Sequence, residues 1–395
     1  MTRRLLPLYI SALLQGIVFW YAIEKLFMVS IGFTTASIGI MVAIMSIVML
    51  IVETPSGILA DRWSRKGVMM LGALALCISA VLGALSFNEP VYILSTVFWG
   101  IYAAMYSGTY DSVLYDTTME EHGDSKQFQK FLGRFRAVEG IAFVLGALVG
   151  GAIASNLAMR QTYIVSVPFT LLALLFLWRF REPQLHKAEV ADPVFTHIRQ
   201  TFAAVLRKPM LLPVVVAMVG FSMLQEMMFE LSQLWFIAAA TPLALYGLFS
   251  AALFSSWGTG GLVATRIRST ATISFLMVLI LSSIVGLIVA TNYWLIVTVQ
   301  VTLTVSLIAL GVILTKKLHD ELPSKLRAGS ASVVSTLARL LIIPGVLLFT
   351  TVGERYSVSS ATYVLLGIAV LSIVAYAFIA PAKRASEKQS KLSLS

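Results

Sequence analysis

Apolar stretches of twenty or more residues recur from one end of the chain to the other, and no other feature constrains its fold as tightly. Each stretch is long enough to cross a hydrocarbon core of about 30 Å as one helix. Of the 395 residues, 58% are apolar and only 12% are charged. Soluble domains carry roughly twice that share of charge. Mean hydropathy is +0.88. The chain therefore reads as an all-α integral membrane protein. Its start, "MTRRLLPLYISALLQGIVFWYAIEKLFMV", has a positive leader, but the apolar run is too long for a signal peptide and lacks a cleavage site. A retained first span is expected.

Apolar runs and loop signals predict twelve spans: 5–30, 35–60, 67–87, 90–117, 131–155, 160–180, 209–237, 242–264, 270–290, 293–316, 327–351 and 359–380. Connections are short except for 181–208. This polar stretch divides the chain into a first bundle of six spans (1–180) and a second (209–382), with a polar tail at 383–395. Within the connection, Phe195, Ile198, Phe202, Val205 and Leu206 fall at helical spacing, so an amphipathic helix lying on the membrane is expected there.

All 29 Lys and Arg but Lys25, Arg160, Arg339 and Arg355 fall at the N-terminus, in the even-to-odd loops or the span ends that flank them, in or beside the central connection, or in the tail. The positive-inside rule then puts both termini and the connection in the cytoplasm, as in a multi-pass protein of the inner (plasma) membrane. The same distribution explains the net charge of +10 without a nucleic-acid partner. Cys77 is the single cysteine and lies within a span, so no intrachain disulfide is possible.

The two halves echo one another. "GILADR" (57–62) ends span two and "GLVATR" (261–266) ends span eight; Gln15 and Phe19 match Gln225 and Phe229; "GRFRAVEG" has a looser counterpart in "KLRAGSAS". Matches in order at equivalent places indicate an internal duplication, a common construction among secondary transporters.

The loop after span two reads "GILADRWSRKG". With twelve spans in two halves, it resembles the major facilitator superfamily, whose signature in that loop is G-x-L-A-D-R-x-G-R-[KR]. Gly57, Leu59, Ala60, Asp61, Arg62, Arg65 and Lys66 match, and Ser64 stands where glycine is usual. The resemblance implies two six-helix bundles related by pseudo-two-fold symmetry, alternating access, a small-molecule substrate and a monomer as default. It implies a gating role for Gly57, Asp61, Arg62, Arg65 and Lys66: Asp61 against the start of span eleven, near Ser324, Arg327 and Ala328, and Arg62 or Arg65 against Asp116 at the end of span four. A glycine at position 57 admits a neighbouring helix closely, and a helix N-terminus suits the Asp61 carboxylate. The second copy has Thr265 in place of Asp61, so the latch is expected on one side only. Two departures make the match to the superfamily cleaner than that to its drug-exporter branch and weaken the antiporter expectation: "GALVGG" (146–151) has Ala147 where antiporters carry proline, and "VFWGIYAAM" lacks the span-four arginine.

Ionisable side chains inside a bilayer are costly and so mark function. They are Glu24 and Lys25, Glu53, Asp111, Glu139, Glu226 and Glu230, and Arg339. Glu226 and Glu230 stand one helical turn apart, and two acids so close in low dielectric resist being charged together, as a proton-coupled carrier requires. Spans one, four, seven and ten line the cavity in the superfamily. Glu24, Asp111, Glu226 and Glu230 are therefore expected on a shared wall, with Trp20, Tyr21, Tyr110, Phe229 and Trp235 as aromatic faces for an organic cation. Neighbours on a helix point apart, so Glu24 and Lys25 have an interface role as their alternative; Glu139 has pairing with Arg136 as its own.

The leading expectation is proton-coupled export of a cationic or amphipathic compound. The alternatives are uptake of a nutrient or organic anion held by Lys25 or Arg339, and a non-transporting membrane receptor. No catalytic residue, metal site or cofactor is expected: His122, His186, His197 and His319 fall in loops or at span ends, and no hydrolase or phosphate-binding motif occurs.

Overall fold

The computed structural model describes residues 4–122, 126–183, 212–267, 269–320 and 324–378. Every regular element among the described residues is a helix. Ten helices are long and apolar enough to cross a bilayer, and a pair bent by 47°, Leu6–Ala22 with Glu24–Ser30, makes an eleventh. The remaining long helix, Leu243–Arg266, has 24 residues, with "SSWGTGG" diluting its apolar character. Together these account for the twelve predicted crossings. In chain order after the bent span one, spans two to six are Thr35–Arg62, Arg65–Ala84, Glu89–Tyr106 continued by Thr109–His122, Lys126–Asn156 and Met159–Arg179. Spans seven to twelve are Leu212–Ala238, Leu243–Arg266, Thr270–Val289, Tyr293–Asp320, Ser324–Arg355 and Val358–Ala377. Ile51, Leu262 and Val289 are each about two-thirds exposed, a pattern that fits a lipid solvent. The protein is a multi-pass membrane protein.

Spans five and eleven begin several residues before their apolar runs, because the polar residues there continue the helix past the hydrocarbon. The amphipathic helix expected between 195 and 206 and the tail 383–395 lie outside the described residues.

The helices gather into two compact units, Met1–Val190 with Phe236–Gly258, and Ala191–Trp235 with Thr259–Ser395. In the first unit, spans one and four are broken. Span one loses its helix at Ile17 and Val18, makes one 3-10 turn over Phe19–Ala22 and resumes at Glu24. A break in a bilayer must find new partners for the backbone groups it releases. Phe19 N donates to Ser166 Oγ at 3.2 Å and Ala22 O accepts from Ser250 Oγ at 3.3 Å. The glycines of span five make room for it: a Cβ at Gly146 would sit 3.1 Å from Val18 N, and one at Gly150 would sit 1.9 Å from Phe19 O. Span four breaks at Ser107–Gly108, where Gly108 has φ +76°, a conformation glycine adopts without strain. Below these breaks a buried cluster of Leu5, Leu8, Tyr9, Tyr110, Phe131 and Phe135 fills the end of the unit that carries residues 57–67.

In the second unit, span nine packs on spans ten and twelve, and span eleven on span twelve. Close approaches there involve side chains: Gly220 faces Ser372, Gly260 faces Ile308 and Gly345 faces Met223.

Candidate functional site

Span four carries Trp99, Tyr102, Tyr106 and Tyr110 three or four residues apart, so their rings share one face and run as a ladder across the break. Trp99 and Tyr102 have centroids 5.2 Å apart, Tyr102 and Tyr106 5.5 Å, and Tyr106 stacks on Tyr110 at 4.2 Å. Tyr21, on the 3-10 turn of span one, meets Trp99 edge-on at 5.2 Å and Phe143 of span five at 5.6 Å. These six rings wall a cavity of about 350 Å³ in the first unit, within the size range of small-molecule sites. Asp111, Arg136 and Glu139 are the charged residues of its lining.

Those three charges form one cluster. Arg136 Nη2 donates to both oxygens of Asp111, at 2.9 and 2.7 Å, and its Nη1 donates to Glu139 Oε2 at 2.8 Å. The other oxygen of Glu139 accepts from Tyr106 Oη. Gln15 Nε2 bonds Tyr110 Oη at 2.6 Å and Ser11 Oγ at 2.8 Å, tying span one to span four beneath the ladder. The side chains of Arg136 and Asp111 are 52% and 39% exposed, whereas that of Glu139 is 12% exposed. The site thus offers one solvated carboxylate, one shielded carboxylate and a cation bridging them, all among aromatic faces. Such a lining suits a flat organic cation.

Several expected residues lie elsewhere. Trp20 is 3% exposed and stacks on Tyr163 at 4.8 Å, outside the cavity lining. Glu24 and Lys25, the first two residues of the helix that resumes after the break, bond one another rather than pointing apart. Lys25 Nζ bonds Glu24 at 2.7 Å, and Glu24 accepts from Tyr92 Oη at 3.0 Å. Lys25 is 2% exposed, so the pair is an internal clasp rather than an interface anchor or a cavity wall. Tyr21, Tyr110 and Asp111 do line the cavity. Glu226, Phe229 and Glu230 belong to the second unit, all half-buried on span seven. The charges of Arg339, on span eleven, and of Glu230 both act on Glu226.

At the other end of the first unit, Arg65 binds Asp116 and lies 3.6 Å from Asp61. Lys66 Nζ donates to Trp178 O at 2.6 Å. Glu182, at the end of span six, accepts from Ser64 Oγ at 2.7 Å and from Arg65 N at 2.6 Å. It thereby caps span three with a carboxylate, where the helix dipole favours one. Arg62 is exposed and makes no ion pair among the described residues. No described atom comes within 4 Å of a Cβ placed at Gly57. The side chains of Ser324, Arg327 and Ala328, the expected partners of Asp61, lie outside the described residues. In the second copy, Thr265 Oγ1 turns back to its own helix, donating to Leu262 O at 2.7 Å.

Comparison with known proteins agrees with this layout. The sequence profile of the Major Facilitator Superfamily matches residues 5–345. The chain belongs to the major facilitator superfamily. Quinolone resistance protein NorA of Staphylococcus aureus (strain MRSA252) is 26% identical over 156 residues, 39% of each chain. Methylenomycin A resistance protein of Bacillus subtilis (strain 168) is 27% identical over 123 residues, 31% of this chain and 26% of that one. The matches thus span well under half the length of these relatives. Among solved structures, the nucleoside transporter NupG superposes with TM-score 0.76 at 18% identity, covering 96% of this chain and 99% of the other. A bacterial homologue of the human lysosomal transporter Spinster, inward-facing and unoccupied, superposes with TM-score 0.72 at 14% identity over 96% of both chains. These structures share the fold with this superfamily transporter.

Sequence reasoning missed Arg136 as a cavity residue, because it counted among the loop cations. It also missed Trp99 and Tyr102, although their helical spacing with Tyr106 and Tyr110 was there to be read. Glu182 carried no sequence signal, since its partners lie more than a hundred residues away.

Proposed function

We propose that the protein is a secondary transporter that works by alternating access and exports a small cationic or amphipathic compound in exchange for protons. The observation that carries this reading is the cavity in which Asp111 and Glu139 stand among six aromatic rings with a single arginine. Names of relatives that confer quinolone and methylenomycin resistance support the direction. Glu226 and Glu230, one turn apart beside Arg339, are the proposed coupling acids. Residues 1–180 and 209–382 act as the two bundles. On the positive-inside pattern, both termini, the connection 181–208 and the loop at 57–67 face the cytoplasm across the inner membrane. Asp61, Arg65 and Asp116 form the latch half contributed by the first bundle, with Gly57, Arg62 and Lys66 beside it. Organic-anion uptake is the weaker reading, since Lys25 is already occupied by Glu24.

The test is ethidium uptake into inverted membrane vesicles energised by a proton gradient, for the wild type and Glu230→Gln. Gradient-dependent uptake that the substitution abolishes supports proton-coupled cation export through Glu230. Absence of dye movement in both proteins overturns the cationic-cargo reading. Full transport by Glu230→Gln removes that residue from the mechanism.

A further inference from the structure

We propose that Arg136 is a tethered cation that holds the cargo's place at Asp111, and that a monocationic, flat aromatic cargo binds by displacing it. The inference rests on the cationic-cargo reading above and names the residue that sets its charge selectivity.

Three observations carry it. The first is the shape of the fork. Arg136 grips Asp111 with Nη2 and Glu139 with Nη1, and only the second partner is on its own helix, three residues away. It can release Asp111, which belongs to span four, and still keep a carboxylate at 2.8 Å. The guanidinium need not be left unpaired when cargo arrives, so the large penalty of a stranded charge is avoided.

The second is exposure. The Arg136–Asp111 bond lies in the open part of the site, with side chains 52% and 39% exposed. Ion pairs that water can reach are weak and exchange readily. The Glu139 end is fixed by its burial and by Tyr106 Oη. The fork therefore has a firm prong and a loose one, and the loose one holds the carboxylate the cargo needs.

The third is charge. Two carboxylates and one guanidinium leave a single negative charge in the cavity lining. One cargo cation makes the loaded site neutral, and a second would have no partner. The rings of Tyr21, Trp99 and Phe143 supply flat faces within the same cavity, so the cargo class is an aromatic monocation. A ligand shifts such an arrangement only through its preference for the displaced state, and Asp111 is where that preference arises.

The experiment is equilibrium binding of ethidium to the purified full-length protein in lipid nanodiscs, without a proton gradient. Arg136→Gln removes the competitor, and the expected result is dye binding about tenfold tighter than wild type. Arg136→Lys keeps the charge but loses the two-pronged grip, so it should bind tighter than wild type and weaker than Arg136→Gln. Asp111→Asn should bind at least about tenfold weaker than wild type. Adding Arg136→Gln to Asp111→Asn should then restore nothing. Millimolar methylguanidinium should compete with the dye in Arg136→Gln and not in the wild type, which a purely structural role for Arg136 would not produce. If Arg136→Gln proves too unstable to assay, Arg136→Lys alone decides. Unchanged or weaker binding by the Arg136 variants, with Asp111→Asn still impaired, overturns displacement and leaves the cationic-cargo reading standing. Wild-type binding that Asp111→Asn does not alter, or no wild-type binding, overturns both.

Discussion

Each unit of the protein carries a set of two carboxylates and one arginine on its spans, and the two sets are built differently. In the first unit Asp111 and Glu139 come from spans four and five, and Arg136 bonds both. In the second, Glu226 and Glu230 share one face of span seven, and the charge of Arg339 on span eleven acts on Glu226. Carboxylates on separate helices can be parted by a shift of one helix, so a cation can be let in between them. Carboxylates one turn apart on a rigid helix cannot part, so their repulsion is relieved by a proton or by the arginine. The first arrangement suits cargo and the second suits coupling. Two glycines also differ in what they face: Gly150 of the first unit meets backbone at Phe19 O, whereas Gly345 of the second meets the end of the Met223 side chain.

The largest expected effect tests the division of labour directly. Asp111→Asn should remove ethidium binding in nanodiscs, while Glu230→Gln should keep binding and lose gradient-driven uptake in vesicles. Loss of gradient-free binding in Glu230→Gln would break the contrast between the units. Next comes the signature loop against its second copy. Arg65→Ala removes an ion-pair partner of the Asp116 carboxylate, which is 8% exposed, and should cost about 2 kcal/mol, read as a lowered Tm. Thr265→Val removes only a hydroxyl bonded to its own helix and should cost under about 0.5 kcal/mol. A third pair concerns packing. Gly150→Ala drives a methyl into the broken backbone of span one and should cost about 2 kcal/mol. Gly345→Ala meets the movable end of Met223 and should lower Tm less; equal losses in the two variants would mean that the backbone contact at Gly150 costs no more than the side-chain contact at Gly345. The smallest effect belongs to Gly57→Ala, which meets open space and should leave Tm unchanged while altering transport if the loop moves against span eleven.

The sequence by itself determined the spans, their number and the signature loop, with Arg62 or Arg65 set against Asp116; the structure chose Arg65. The sequence did so because lipid cannot hydrogen-bond a backbone, which forces each crossing to be a continuous apolar run that can be counted along the chain. The pairing of Arg136 with Glu139 was legible for a similar reason, since residues three apart on a helix are neighbours by geometry alone. Tertiary structure decided the rest. Whether Asp111 faces open cavity or Arg136, whether Glu182 caps span three, and where span one breaks all depend on which helices lie beside one another. Gly150 and Ser166 permit that break from more than a hundred residues away. A charge finds its partner through space rather than along the chain, so the sequence supplied the candidates and the packing of spans one, four and five chose among them.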